Sequence, residues 1–291
     1  MSQQEPKPTW LRIKVPSSPS NKVISVINNK SLHTVCAEAK CPNQMQCFAR
    51  GQATFLLLGP SCTRRCTFCA VDKSSVQKPD IKEPARIAHA IDHMGLSYSV
   101  LTMVTRDDLT DGGASHIIKT MREIRKLSPD TDIELLISDL NGNWDALDMI
   151  LQTKPAVINH NIETVPRLYP SVRPQADYKR SMRLLTRVSS IQTAIITKSG
   201  MMLGLGEEKH EILSTMDDLR NAGCQLLTLG QYLSPSHGHH PVIRYIPPNE
   251  FDEYKKEALD RGFLGVASAP LVRSSYRAAD LFCSVRNGDR S

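Results

Sequence analysis

Residues 53–70 read ATFLLLGPSCTRRCTFCA. The first half is an apolar run of strand length, closed by Gly59 and Pro60. The second half sets Cys62, Cys66 and Cys69 in a Cys-x3-Cys-x2-Cys loop directly after it. Three soft thiolates in so short a loop suit an iron–sulfur cluster or zinc. A structural zinc site wants four ligands, often as paired CxxC units, and no histidine lies nearby. In a four-iron cluster, three cysteines leave one iron open, and an open iron is a place for chemistry. Upstream, VCAEAKCPNQMQC holds a second triple, Cys36-x4-Cys41-x5-Cys47. Its composition alone leaves zinc and iron–sulfur both open.

The run at Ala53–Gly59 is the first of six strand-like segments. SVLTMV (Ser99–Val104), IELLIS (Ile133–Ser138), AVINHN (Ala156–Asn161), TAIIT (Thr193–Thr197) and LLTLG (Leu226–Gly230) follow. Between them lie segments of helical period, with apolar stripes at Ile87/Ile91/Met94, Ile117/Met121/Ile124 and Ile212/Met216/Leu219. Alternation of this kind predicts an α/β fold with parallel strands joined by crossover helices. A six-unit partial barrel and a doubly wound open sheet both fit it. In barrels, active sites gather where strands end. The strand ends here carry Cys62–Cys69, then Thr105, Arg106, Asp107 and Asp108, then Ser138 and Asp139. Asn159, His160, Asn161 and Glu163 follow, then Lys198 and Ser199, then Gln231 and Tyr232.

The chain has 291 residues, 40% of them hydrophobic, enough for one large α/β domain or two smaller ones. A net charge of +6 is mild and scattered, so no nucleic-acid partner is expected, although an acidic protein could dock. Eight cysteines in a chain this long argue against a disulfide scaffold. The start, MSQQEPKPTW, has no apolar core of a secretory signal and is not Arg-rich. No run is long enough to span a membrane, so no membrane association and a reducing, cytoplasmic location are expected. Residues 1–20 read as an extended arm, Asn21–Asn29 as a short helix, and the first cysteine triple as irregular backbone around Pro42 and Asn43.

The Cys62/Cys66/Cys69 loop resembles the cluster motif of radical S-adenosylmethionine (SAM) enzymes. The preceding triple narrows the resemblance to the lipoyl synthase family. Further matching stretches are LTMVTRDDLTDGGA, NHNIETVPRLYPSVRP, TKSGMMLGLGE, LTLGQYLSPS and Arg273-Ser274-Ser275-Tyr276. Together they cover roughly Pro8 to Ala278. The resemblance implies a partial (β/α)6 TIM-like barrel over residues 51–262. An N-terminal extension, 1–50, would carry the auxiliary triple, and a C-terminal extension, 263–291, the RSSY sequence. It implies two [4Fe–4S] clusters and SAM as cofactors. One cluster would sit on Cys62, Cys66 and Cys69 and bind SAM at its open iron. The auxiliary cluster would be held by Cys36, Cys41, Cys47 and Ser275. The implied activity is insertion of two sulfur atoms at C6 and C8 of a protein-bound octanoyl group, with the auxiliary cluster consumed as sulfur source. The implied partners are octanoylated lipoyl carrier domains and an external electron donor.

Other candidates have plainer readings beside the functional one. Asn161 and Glu163 suit the SAM amino or ribose groups, or a strand-end turn. Without the resemblance Ser275 reads as a turn residue. Asp107 and Asp108 suit the site or a helix cap; Arg167 and Arg173 suit carboxylates or surface pairs. LGLGE (Leu203–Glu207) lacks dinucleotide spacing and reads as a tight turn. His237, His239 and His240 read as a solvated loop, and Cys224 and Cys283 as lone thiols. The competing activities are another radical SAM sulfur-inserting enzyme such as biotin synthase, which lacks the first triple and RSSY, an iron–sulfur electron-transfer protein, and a zinc module.

Overall fold

The computed structural model describes residues 6–13, 21–191 and 195–288. Eight strands form one sheet in chain order: β1 (His33–Thr34), β2 (Thr54–Leu57), β3 (Tyr98–Met103), β4 (Asp132–Leu136), β5 (Val157–Asn159), β6 (Ile196–Leu203), β7 (Leu226–Gln231) and β8 (Gly265–Ser268). From β2 to β8 every pairing is parallel, and β1 lies antiparallel on the β2 edge. β8 does not pair with β1, so the sheet stays open as a partial TIM-like barrel.

The helices are α1 (Asn21–Asn29), α2 (Val35–Glu38), α3 (Gln44–Ala49), α4 (Glu83–Met94), α5 (Ala114–Leu127), α6 (Trp144–Leu151), α7 (Tyr169–Val172), α8 (Tyr178–Ser190), α9 (Lys209–Asn221), α10 (Pro248–Asp260) and α11 (Ala278–Arg286). The crossover helices bury the stripes their period implies: Ile87 and Ile91 on α4, Ile117, Met121 and Ile124 on α5, Ile212, Met216 and Leu219 on α9. Gly95 ends α4 in the left-handed region, at φ 63°, where glycine carries no Cβ penalty. Covered by helices outside and filled within, a central strand such as β7 is buried along its whole length.

All six strand-like segments form parallel strands in the expected order. Residues 193–194 of the fifth lie outside the described residues, and its strand continues to Leu203. A seventh parallel strand, β8, follows α10 within the expected C-terminal extension. Its sequence, GVAS, has no bulky run to announce it. Packing explains the small residue at its start: a Cβ on Gly265 would lie 2.9 Å from Leu281 Cδ1 of α11.

The first cysteine triple is more regular than expected. Cys36 sits in α2, Cys47 in α3, and Cys41 in the turn between them. Thr34 Oγ1 caps α2 by accepting from the Ala37 amide at 3.3 Å. Lys40, at φ 50°, turns the chain out of that helix. Val23, Cys36, Phe48 and Ala53 make a small core that holds this extension to the barrel edge. The arm also has a fixed point, since a short turn at Thr9–Leu11 buries Leu11 completely.

Beyond β8 the chain runs across the C-terminal ends of the strands. The Gln231 amide donates to the Pro270 carbonyl at 3.1 Å. Asn43 Nδ2 donates to the Leu271 carbonyl at 2.6 Å, and Ser274 Oγ donates to Asn161 Oδ1 at 2.8 Å. Two glycines make room for this segment. A Cβ at Gly200 would stand 2.5 Å from Thr228 Oγ1 and 3.0 Å from Ser274 Oγ; one at Gly230 would stand 2.0 Å from the Val272 carbonyl oxygen. A backbone oxygen cannot rotate away as a side chain can. Gly230→Ala is therefore expected to lower unfolding stability by about 1–3 kcal/mol, the range for overpacking. Gly238→Ala, whose Cβ meets nothing nearer than 3.8 Å, is the control. Equal denaturant midpoints for the two variants would contradict this packing.

Candidate active site

A cavity of about 560 Å³ opens at the C-terminal ends of the strands. Cys36, Cys41, Cys47, Cys62, Cys66, Cys69, Asn161, Glu163 and Ser275 all line it. The two triples are far apart in kind, one on the N-terminal extension and one after β2, yet they face the same space. Cys224 is buried elsewhere and Cys283 is exposed; neither lines it.

The second triple is held by its surroundings on several sides. The Cys62 amide donates to the Asp72 carbonyl at 2.8 Å, and Thr67 donates its amide to the Val172 carbonyl at 3.0 Å. Lys73 Nζ reaches the Cys66 carbonyl at 3.0 Å, and His239 Nε2 lies 3.1 Å from the Cys69 carbonyl oxygen. Inside the loop Arg64 turns inward. Its Nε and Nη2 contact both carboxylate oxygens of Asp107 at 2.7 and 2.9 Å, and Nη2 contacts Asp139 Oδ1 at 2.6 Å. The Arg64 side chain is 4% exposed and that of Asp139 is 0% exposed, so this pairing works in a water-poor place. Burial alone would raise the Asp139 pKa; the hydrogen bonds and charge of Arg64 outweigh it and hold the carboxyl below the usual range. Arg180 adds a longer contact to Asp139 at 3.3 Å.

Across the cavity, Asn161 Nδ2 donates to Glu163 Oε1 at 3.1 Å. Glu163 sits at φ 66°, an uncommon place for a non-glycine residue, and its backbone bridges Gly200 and Met202 of β6 at 3.0 and 2.8 Å. That bridge turns the side chain into the cavity. Burial pushes the Glu163 carboxyl up, opposed by the Arg173 charge. His160 is held neutral: burial pushes its pKa down to about 4. Its Nδ1 lies 2.9 Å from the Ile137 carbonyl oxygen and its Nε2 3.0 Å from Ser181 Oγ.

The charge balance of the cavity favours an anionic occupant. Arg173 and Arg273 line it, and neither has a carboxylate within ion-pair distance among the described residues. Arg173 Nη1 instead reaches the Asn161 and Ile162 carbonyls, each at 3.0 Å, and its buried Nε has no partner. Burial lowers the Arg273 pKa, countered by the nearby Cys41 and Glu163. Burial likewise pushes the Cys36 thiol up to about 11 and the Cys47 and Cys69 thiols up to about 12, with neighbouring cysteines adding to the rise. Bound metal reverses that order, because a coordinating thiol gives up its proton outright. Zinc draws its ligands to about 2.3 Å of a single point. Among the described residues no three Cys, His, Asp or Glu groups converge on such a point. A four-iron cluster takes each thiolate on a different iron, so its ligands stand farther apart. Three thiols from each triple, facing one cavity beside two guanidinium groups without a carboxylate partner, are a donor set that fits iron–sulfur clusters.

The remaining candidates separate cleanly. Asp107 holds Arg64 and Asp108 holds Arg106; at the start of the next helix, α5, it is Asp111 that accepts from the Gly113 and Ser115 amides. Arg167 pairs with Glu211 at the surface, away from the cavity. Glu207 accepts from the Gly204 and Leu205 amides, so LGLGE is the tight turn its sequence suggests. His237 is exposed, but the solvated-loop reading fails for its neighbours. His239 contacts Cys69, and His240 Nε2 lies 2.9 Å from the Leu205 carbonyl oxygen. Arg64 and Arg273 were missed as site residues. The available signal was their position inside the cysteine loop and the RSSY sequence.

The Radical SAM superfamily model matches residues 56–219. The chain is 51% identical over 278 residues to the lipoyl synthase of Caldicellulosiruptor saccharolyticus, covering 95% of this chain and 98% of that protein. It is 53% identical over 274 residues to the lipoyl synthase of Chlorobium chlorochromatii, covering 94% and 93%. Solved structures share the fold at low identity. HydG, a maturase of the [FeFe]-hydrogenase, superposes with a TM-score of 0.58 at 12% identity, over 86% of this chain and 63% of that one. Streptococcus suis SuiB bound to S-adenosylmethionine gives 0.58 at 10%, over 77% and 53%.

Removing Asp139 leaves Arg64 with a buried, half-answered charge at the root of the cysteine loop. Asp139→Ala is expected to destabilise the chain by about 3–5 kcal/mol, the range for breaking a buried ion pair from one side. Chemical denaturation of the cluster-free protein measures it. A loss below about 1 kcal/mol, the range of a surface pair, would mean that Asp107 alone secures Arg64.

Proposed function

Because the chain belongs to the lipoyl synthase family of the radical SAM superfamily, we propose a division of labour between the two cysteine triples within the one cavity. The activity is that of a radical SAM sulfurtransferase making the lipoyl group, with [4Fe–4S] clusters and SAM as cofactors. Cys62, Cys66 and Cys69 would hold the cluster that engages SAM. Cys36, Cys41, Cys47 and Ser275 would hold the auxiliary cluster. The observation that carries this reading is that all six thiols and Ser275 line the same cavity. When bound, these groups supply the one-electron and sulfur-donating chemistry that no side chain can perform on an unactivated C–H bond.

The protein's part is to bind, orient and exclude water. Asn161 and Glu163 would receive the polar groups of SAM, with Glu163 held on its strained backbone. Arg173 and Arg273 would answer the negative charge of carboxylate and thiolates. His160, kept neutral by burial, lines the cavity without adding charge. Apolar lining from Leu136, Ile137, Met201 and Met202 suits an alkyl chain beside these polar groups. The substrate is an octanoyl chain carried on protein, and insertion at C6 and C8 requires two successive carbons to meet the same sulfur source. A tethered chain enters to a fixed depth, which makes that placement reproducible. Lipoyl carrier domains would dock at the cavity mouth, and an external donor would supply electrons. No nucleic-acid or membrane partner is part of the proposal. We assign the cysteine-bearing N-terminal extension and the segment that follows β8 to completing the auxiliary site on the barrel. The free thiols suit a reducing cytoplasm.

Anaerobic reconstitution is expected to load about eight irons per chain. Replacing Cys62, Cys66 and Cys69 together by Ala should halve the iron and abolish SAM cleavage. Undiminished iron in that variant would overturn the assignment of the two triples. Ser275→Ala is expected to keep SAM cleavage while losing complete sulfur insertion into an octanoylated carrier domain. Product at the normal rate would remove Ser275 from the ligand set.

A further inference from the structure

Deep on the barrel's interior face, Lys198 of β6 meets Glu134 of β4. Lys198 Nζ lies 2.9 and 3.0 Å from the two carboxylate oxygens, and the side chains are 1% and 0% exposed. Glu134 also accepts from Tyr98 Oη at 2.7 Å and Asn159 Nδ2 at 2.8 Å, so its oxygens are well supplied. An ammonium has three donors. Two face Glu134, and Lys198 also donates at 2.7 Å to the carbonyl of Ser274, 76 residues along the chain. Charge neutrality does not require that last contact. It aims the lysine at one backbone oxygen of the segment crossing the cavity.

Ser274 is gripped a second time, through its hydroxyl on Asn161 Oδ1 at 2.8 Å. Three residues earlier, the Leu271 carbonyl accepts from Asn43 Nδ2, two positions after Cys41 in the first triple. The segment thus hangs between anchors on the barrel interior and on the cysteine extension. Gly200 and Gly230 give it clearance. Ser275, immediately after the inner anchor, lines the cavity with Cys36, Cys41 and Cys47.

We infer that Lys198 is a positioning residue for the auxiliary site: by holding the Ser274 carbonyl, it keeps the Ser275 hydroxyl on the wall shared with the first cysteine triple. The inference rests on Ser275 being a cluster ligand. A serine oxygen is a poorer partner for iron than a thiolate. Its binding therefore depends more on being delivered in place, and a fixed backbone delivers it without loss of chain freedom at the moment of binding.

The test uses the full chain with Cys62, Cys66 and Cys69 replaced by Ala, so that only the auxiliary site loads with 57Fe. Mössbauer spectra are compared for this background, for added Ser275→Ala, for added Glu134→Gln, and for added Lys198→Met with Glu134→Leu. The last pair removes both buried charges, so no unpaired one opposes folding. The subspectrum of the oxygen-bound iron, about one quarter of the signal from a four-iron cluster, should vanish in Ser275→Ala and in the double replacement. It should persist in Glu134→Gln, which keeps the lysine on Ser274. In the cluster-free chain, amides of Val272–Tyr276 should exchange at least about tenfold faster in the double replacement, with the melting temperature little changed, because local opening is being read. A background-like spectrum and unchanged exchange in the double replacement would overturn the inference. So would loss of the subspectrum in Glu134→Gln with exchange unchanged, which would tie the effect to the ion pair. If Ser275→Ala itself leaves the spectrum intact, the ligand reading fails and the inference falls with it.

Discussion

Arg64 carries its guanidinium from the middle of the cysteine loop into a buried position between Asp107 and Asp139, and the shape of the site follows from that pairing. A loop leaving a strand end would ordinarily spread toward water. Here a charge inside the loop is answered by carboxylates that follow the next two strands. The loop is drawn over the sheet, and the thiols on either side of Arg64 come with it. The cost of taking the ions out of water is high, so the pairing is better understood as fixing geometry than as adding stability. Lys198 and Glu134 form a second buried pair deeper in the barrel. The first pairing ties a loop to strand ends by charge; the second ties two strands by charge and reaches the loop through a backbone carbonyl.

Much of the barrel was legible in the sequence, because its six main strands are apolar runs between helices of clear period. β8 was hidden because a four-residue strand of small side chains owes its place to β7, α10 and α11. The cysteine spacings were legible, since metal chemistry demands residue types that have few other uses at that density. Ser275 was legible only through resemblance. Alone it is one serine of a pair near a turn, and its place on the cavity wall comes from a segment folded back across the chain. Arg64, His239 and Lys198 illustrate the general limit. Their cavity-side partners include ones 43, 76 and 170 residues away, and no local pattern specifies which distant carboxylate or carbonyl a basic side chain will meet.

The cavity is not built for stability by itself. Arg173 has a buried nitrogen without a partner, Arg273 is half-buried with no carboxylate within ion-pair distance among the described residues, and Glu163 occupies strained backbone. The two guanidinium groups would be better satisfied with an anionic occupant nearby. Binding to the folded state alone would stabilise it by mass action. Local deviations from ordinary satisfaction therefore coincide with the place where chemistry is assigned, as expected when structural rules are broken for function.

The cavity wall also has a chronology. A chain is made from its N-terminus, so both cysteine triples are synthesised long before Leu271–Tyr276. Until that last stretch arrives, Gly200 and Gly230 face a gap, Asn43 lacks its carbonyl partner, and Asn161 lacks the Ser274 hydroxyl. A nascent chain can thus display six thiols while the cavity wall around them is incomplete. Shielding those thiols from stray metal and oxidant during synthesis is a demand that this architecture places on the cell.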